Sequence, residues 1–276
     1  MRLRFTKMHG LGNDFVVIDA ITQQVRLTPE KIRALADRHF GVGCDQVLLV
    51  EPPTQTDVDF RYRIYNQDGG EVQNCGNGAR CFAKFVSDRR LTGKRAIRVE
   101  TANGLMTLHL QANGDVSVDM GVPVLSPSEI PFLANSEQQT YALALPNQDI
   151  ELSAVSMGNP HAVIVVEDVA TAPVETLGKA IQRAEEFPEG VNVGFMEVLS
   201  RGEIRLRVLE RGVGETLACG TGACAAVVAG QLRGLLDNEV TVTLPGGVLH
   251  CQWQGPGTPV IKTGPATTVF QGQVRI

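Results

Sequence analysis

The chain is written twice. GNDFVV, beginning at Gly12, returns as GNPHAV at Gly158, an offset of 146 residues. DQVLLVE from Asp45 returns as VNVGFMEV from Val191, again offset by 146, so that Gln46 falls on Asn192 and Glu51 on Glu197. RYRIYNQDGGEVQNC from Arg61 returns as RLRVLERGVGETLAC from Arg205 at an offset of 144, placing Asn66 on Glu210, Gln67 on Arg211 and Cys75 on Cys219. IRVETANGL from Ile97 returns as VTVTLPGGV from Val240 at an offset of 143. Four blocks in one order at a nearly constant offset mark an internal duplication. The 276 residues are therefore expected to form two similar halves. The boundary falls between Met120 and Pro127: residues 1–119 form the first half, 120–263 the second, and 264–276 are expected to rejoin the first.

Each half mixes strands and helices. Phe60, Tyr62 and Ile64 alternate with Arg61 and Arg63, and Ile204, Leu206 and Val208 alternate with Arg205 and Arg207, the period of a half-buried strand. MTLHLQANGDVSVDM predicts a hairpin around Asn113-Gly114, and VTVTLPGGVLHCQW a second around Gly246-Gly247. TPEKIRALADRHFG predicts a helix capped by Thr28, with Pro29 in its first turn and Gly41 at its end. After Cys75, the residues Ala79, Phe82 and Val86 recur at helical spacing. After Cys219, ACAAVVAGQLRG is apolar nearly all round and predicts a deeply buried helix. The order in each half is strands, an early helix, more strands, a cysteine-led helix, then a hairpin.

Composition narrows the function classes. The apolar fraction of 43% supplies a core, and charged residues make up 20% without clustering. A net charge of −5 with no Lys/Arg cluster excludes a nucleic-acid footprint. The start, MRLRFTKMHG, has no apolar stretch of the signal-peptide type, and runs such as AVIVV (Ala162 to Val166) are too short to cross a bilayer. A cytoplasmic protein is expected, away from membranes. In that compartment six cysteines are core filler, metal ligands or reactive thiols and not a disulfide framework.

The duplicated phrases QNCGNGARC and LACGTGAC carry the chemistry. In both, a strand and a glycine turn lead to a cysteine, another glycine and a helix. The N–H groups of a helix start attract anions, and such a terminus lowers the pKa of an adjacent thiol. Two thiols facing one cleft beside two anion cradles suit proton removal from one face of a carbon and proton return to the other, which inverts a centre next to a carboxylate. Two plainer readings stand beside this one. Buried cysteines and glycine turns before helices are often only structural. Cys75, Cys81, Cys219 and Cys224 also make a conceivable four-thiolate zinc set, although their spacing lacks the usual tight pairs. Cys44 and Cys251 lie in apolar surroundings and read as packing. Asp14 and Asp45 read as turn caps.

With these residues in view, KMHGLGNDFVVID, GVGCDQ, YNQDGGEVQNCGNGARC, SMGNPHAV, FPEGVNVGF and ERGVGETLACGTGAC together resemble the diaminopimelate epimerase family. The resemblance covers most of the chain, in the family's order. It implies an α/β (α+β) fold of two pseudosymmetric halves, each a mixed strand barrel around a central helix, with the active site in the cleft between them. It implies a cofactor-independent isomerase that interconverts L,L- and meso-diaminopimelate in lysine and peptidoglycan precursor synthesis, with no metal and a homodimeric assembly. Carried over by residue, Cys75 and Cys219 are the acid/base pair, and the N–H groups of Gly76, Asn77, Gly220 and Thr221 hold the reacting carboxylate. Asn13, Asn66, Asn159, Asn192, Glu210 and Arg211 hold the far end, Arg211 as a planar fork for a carboxylate and Glu210 as countercharge to an ammonium. Gln46 lines the cleft. By pattern alone, Asn13 and Asn159 equally suit turn positions, and Glu210-Arg211 better suits a solvated strand edge. His161 reads as a group that tunes a cysteine or satisfies the backbone. Cys44 departs from the family, where a small residue such as Ala is frequent.

Overall fold

The computed structural model describes residues 2–72, 76–102, 104–146 and 148–276. Cys75 therefore lies outside the described residues. The chain divides into two compact units, Met1–Asp119 with Thr263–Ile276, and Met120–Lys262. Both are mixed α/β.

The first unit runs β1 (Arg2–Gly10), β2 (Asn13–Asp19), α1 (Pro29–Ala36), β3 (Gln46–Glu51), β4 (Phe60–Asn66), β5 (Glu71–Val72), α2 (Gly76–Asp88), β6 (Ala96–Thr101), β7 (Gly104–Leu110) and β8 (Val116–Asp119). The second runs β9 (Tyr141–Leu145), β10 (Gln148–Ser156), β11 (Pro160–Val166), α3 (Val174–Gln182), β12 (Asn192–Ser200), β13 (Glu203–Glu210), β14 (Gly214–Thr216), α4 (Gly220–Leu232), β15 (Glu239–Leu244) and β16 (Gly247–Gln252). After β17 (Ile261–Gly264), β18 (Thr267–Arg275) returns to the first unit and pairs antiparallel with β1, Arg2 opposite Arg275.

In the first unit the strands follow one another as β18, β1, β2, β3, β4, β6, β7, β8. Helix α2 packs on β1, β2 and β3 and also on β7 and β8, so the sheet curls about it. Helix α1 covers the opposite face, where Ile32 and Leu35 meet Leu3, Phe5, Val16, Ile18, Val47 and Leu49. That two-sided cover is why FVVI and VLLV are continuous apolar runs, while FRYRIY alternates. The second unit repeats the plan. Helix α4, buried from Gly222 to Gly230, packs on β10 to β13 and β16, and α3 covers the outer face of β12 and β13.

The duplication in the sequence reappears as register. Phe15 stands opposite Gln46 in the parallel pairing of β2 with β3, and His161 opposite Asn192 in that of β11 with β12. Val47 faces Tyr65, and Val193 faces Leu209. Ile64 faces Val72, and Val208 faces Thr216. Phe60 faces Val99, and Ile204 faces Val242. A slip of one residue would turn every side chain to the other face, so matched registers are a demanding form of likeness.

Two elements differ from the sequence expectation. Helix α1 stops at Ala36, not near Gly41. Asp37 Oδ1 takes the N–H groups of His39 and Phe40, both at 2.7 Å, and this local turn replaces the helix. Gly41 serves the turn instead: a Cβ there would lie 2.0 Å from the Ala34 carbonyl oxygen. In the hairpin of β15 and β16, Leu244 pairs with Gly247, so the two linking residues are Pro245-Gly246.

Candidate active site

Cys219 occupies the N-cap of α4. Its Sγ accepts from the Gly222 N–H at 3.4 Å and lies 3.6 Å from Thr221 Oγ1. The thiol is only 3% exposed. Burial, and after it the negative charge of Glu210, push it up to about 12, against the pull of the Thr221 hydroxyl and the Gly222 N–H. The expectation that a helix start lowers this thiol's pKa is therefore corrected: the helix acts in the expected sense, but desolvation and a carboxylate outweigh it. Glu210 ends β13, and its Oε1 accepts from the Thr216 hydroxyl at 2.5 Å. The second glycine of the phrase is a packing residue. A Cβ on Gly222 would stand 3.0 Å from Val208, and one on Gly78 in the first unit 2.5 Å from the Tyr62 hydroxyl. Each cysteine-led helix thus needs a bare position to lie close against its sheet.

Around Cys219 the second unit assembles several of the candidate residues. Asn159 Nδ2 reaches Thr221 Oγ1 at 3.4 Å, and its Oδ1 lies 3.2 Å from His161 Nε2. His161 is buried, and burial followed by the charge of Arg211 lowers its pKa to about 3, so it is a neutral ring that donates to Asn159. Asn192 is committed to the backbone: its Nδ2 donates to the Pro160 carbonyl at 3.2 Å and its Oδ1 accepts the Arg211 N–H at 2.8 Å. The Arg211 guanidinium donates to the Glu189 carbonyl at 2.6 Å. Gly220 and Thr221 open α4.

The first unit groups the others. Gly76 and Asn77 open α2, directly after Cys75. Asn77 Nδ2 donates to Asn13 Oδ1 at 3.3 Å, and Asn13 Nδ2 donates to Asp45 Oδ2 at 2.9 Å. Gln46 Nε2 donates to Asn66 Oδ1 at 2.9 Å, across the β3–β4 pair. Asn13 follows a two-residue turn in which Leu11 (φ 57) and Gly12 (φ 92) are both left-handed, a conformation costly for leucine. Asp14 joins Lys7 at 2.5 Å and Arg38 at 2.7 Å. Burial opposes its ionisation, but Arg38, Lys7 and the Asp45 N–H together hold its carboxyl well below the usual range.

Three side chains outside the set of sequence-predicted site residues touch these candidates: Thr216 on Glu210, Asp45 on Asn13 and Arg80 on Asn77. Thr216 and Arg80 sit inside the phrases that were singled out, but no spacing rule distinguishes a buried arginine from a solvated one. Cys81, Cys224, Cys44 and Cys251 are all buried. Burial raises the Cys44 thiol to about 11. Among the described residues no three His, Cys, Asp or Glu side chains gather as a metal site. Among them, too, no helix is long and apolar enough to cross a membrane.

The fold and a buried thiol capping a helix in a glycine-rich phrase define a class. The chain shares its fold with a phenazine biosynthesis protein of the PhzF family from Bacillus anthracis, with a TM-score of 0.72 at 17% identity over 100% of both chains. It also shares it with a hydroxyproline epimerase from Agrobacterium vitis, with a TM-score of 0.68 at 16% identity over 99% of this chain and 92% of that one. Within that fold the sequence is more specific. The family profile described as Diaminopimelate epimerase matches residues 5–126 and 153–269. Proteins of that name from Teredinibacter turnerae and Azoarcus sp. (strain BH72) are 64% and 62% identical, each over 276 residues and 100% of both chains. The chain belongs to the diaminopimelate epimerase family.

Proposed function

We propose that this protein interconverts L,L- and meso-diaminopimelate, in lysine biosynthesis, by two-base proton transfer between Cys75, Cys219 and the α carbon, without a cofactor. The observation that carries the proposal is Cys219: a thiol capping α4, held by the Gly222 N–H, with a carboxylate beside it. A thiol so buried starts as the protonated partner. In one direction the Cys75 thiolate takes the α proton from one face, and the Cys219 thiol delivers its own proton to the other. Cys75 then holds the proton and Cys219 the charge, ready for the reverse reaction. Charge developing on the carboxylate meets the N–H groups of Gly76, Asn77, Gly220 and Thr221. Arg211, Glu210 and the amides of Asn13, Asn66, Asn159 and Asn192 orient the rest of the substrate, with Gln46 steadying Asn66. Of these, Asn192 acts through the Arg211 backbone that it holds. The protein works in the cytoplasm as a homodimer, an assembly that light scattering on a sizing column tests.

The mechanism is tested in heavy water. Starting from L,L-diaminopimelate, early product should carry deuterium at the inverted carbon while remaining substrate stays almost unlabelled, because the returned proton comes from a thiol already exchanged with solvent. Equal early labelling of substrate and product would point to a single base. Turnover of proline or hydroxyproline instead of diaminopimelate would overturn the substrate.

A further inference from the structure

Asn13 and Asn77 are amides, and an amide meets a ligand in either of two senses, oxygen first or nitrogen first. Their surroundings leave one sense. At one end stands Asp45, whose carboxylate accepts and does not donate, so Asn13 turns its Nδ2 that way, at 2.9 Å. Asn13 Oδ1 is then left towards Asn77, whose Nδ2 lies 3.3 Å away. At the other end stands Arg80, whose guanidinium donates and never accepts, so Asn77 turns its Oδ1 that way, at 3.0 Å. Flipping either amide would set donor against donor and acceptor against acceptor.

Both ends of this run are anchored. Asp45 Oδ1 accepts from Arg38 at 2.7 Å, and its Oδ2 also takes the Asp14 N–H at 3.0 Å. Arg80 is 0% exposed, although it lies on α2 among Ala79, Cys81 and Phe82. Its Nε donates to the Pro265 carbonyl at 3.1 Å and another nitrogen donates to the Gly76 carbonyl at 3.3 Å. The backbone of β1 closes over it, since a Cβ on Gly10 would stand 3.1 Å from the guanidinium and 3.3 Å from Asn77. Burying an arginine is costly, and an apolar side chain would suit this helix face. What the arginine supplies, and an apolar residue does not, is donors for the Pro265 and Gly76 carbonyls and, with its remaining nitrogen, a fixed direction for Asn77.

We infer that Asp45 and Arg80 are positioning residues: Asp45 directly, and Arg80 through the Asn77 side chain, fix the sense in which the Asn13 amide meets the substrate. The inference rests on the reading of Asn13 as substrate-binding through its amide. Asp45→Asn keeps volume but both donates and accepts, so it releases the direction without opening a hole. Loosening a positioning group costs up to about 100-fold in rate. The test is a pair of double-mutant cycles on kcat/KM with L,L-diaminopimelate: Asp45→Asn with Asn13→Ala, and Arg80→Met with Asn77→Ala. A residue that acts through its neighbour has nothing left to do once the neighbour is gone. Asp45→Asn should lower kcat/KM by about 10- to 100-fold, and the double variant should be no worse than Asn13→Ala alone. The Arg80 cycle should behave alike. Should Arg80→Met fail to fold, the Asp45 cycle, on a half-exposed loop, decides by itself. If Asn13→Ala is impaired while Asp45→Asn is not, or if the two losses multiply, the inference is overturned. If Asn13→Ala keeps wild-type kinetics, the substrate-binding reading of Asn13 falls instead.

Discussion

Cys219 should react as a thiol that resists ionisation, with Glu210 as a measurable part of the reason. Burial and then the Glu210 carboxylate push its pKa from 9.0 to about 12. Alkylation by iodoacetamide requires the thiolate. At pH 8 a thiol of pKa 9.0 is about one-tenth ionised and one of pKa 12 about one part in ten thousand, a roughly thousandfold difference equivalent to about 4 kcal/mol. Absolute rates also register access, and Cys219 is 3% exposed, so the pH profile is the quantity to read. Peptide-resolved mass spectrometry separates Cys219 from Cys75. In the wild type the logarithm of the Cys219 rate should climb linearly with pH and show no plateau below pH 10. In Glu210→Gln the profile should move to lower pH without returning to 9.0, because the larger contribution, burial, remains. A wild-type plateau at or below pH 9, or an unmoved profile in Glu210→Gln, would refute the reasoning and remove the case for Cys219 as the resting proton donor.

Two further outcomes follow from packing and burial. His161 has a folded-state pKa lowered from 6.5 to about 3, first by burial and then by Arg211. Between those values the unfolded chain binds a proton that the native protein does not, so stability is lost as pH falls through this window, by at most about 1.4 kcal/mol per pH unit. Urea unfolding at pH 7 and pH 5 should show the loss, and His161→Gln should flatten it; parallel pH dependences would contradict it. Gly78→Ala gains about 1 kcal/mol of helix propensity, but its Cβ would meet the Tyr62 hydroxyl at 2.5 Å, and overpacking costs about 1–3 kcal/mol. The melting temperature should fall, and adding Tyr62→Phe should restore most of it; a Gly78→Ala protein as stable as wild type would show that the helix moves aside at no cost.

The parts of the fold that were legible in the sequence are those written by side-chain period and repetition. Alternation in FRYRIY and RLRVLE, and the apolar run after Cys219, correspond to β4, β13 and α4. The offsets of 146 and 144 reappear as strand registers because register is what an alternating pattern encodes. Features set by one local bond were not legible. Asp37 ends α1 by capping its own turn, and nothing in the period of Ile32 and Leu35 announces that. Helix α3 has Pro173 as its N-cap and no side-chain cap, so only the repeat, which places an early helix in each half, announces it. The pKa of Cys219 was misjudged because a motif shows the helix start but not the burial that outweighs it. Arg80 is illegible for the same reason: its meaning lies in being enclosed.

Where the two copies diverge is informative in its own right. At matched positions the strand registers agree, yet Asn66 and Gln67 in one copy answer Glu210 and Arg211 in the other. Neutral amides stand in one copy and opposite charges in the other, while the strand pairings of β4 and β13 keep the same register. Their contacts diverged with them. Gln67 donates to the Cys44 carbonyl at 2.9 Å, and Asn66 accepts from Gln46. Glu210 accepts from Thr216, and Arg211 is fixed through its N–H to Asn192. On the proposed reading the two copies flank one carbon, and residues of both reach the far end of the molecule, where unlike side chains hold it in one direction. On that reading the cysteines at matched positions of the sequence serve the two faces of inversion, and the charges of Glu210 and Arg211, found in one copy, set the direction in which the molecule lies.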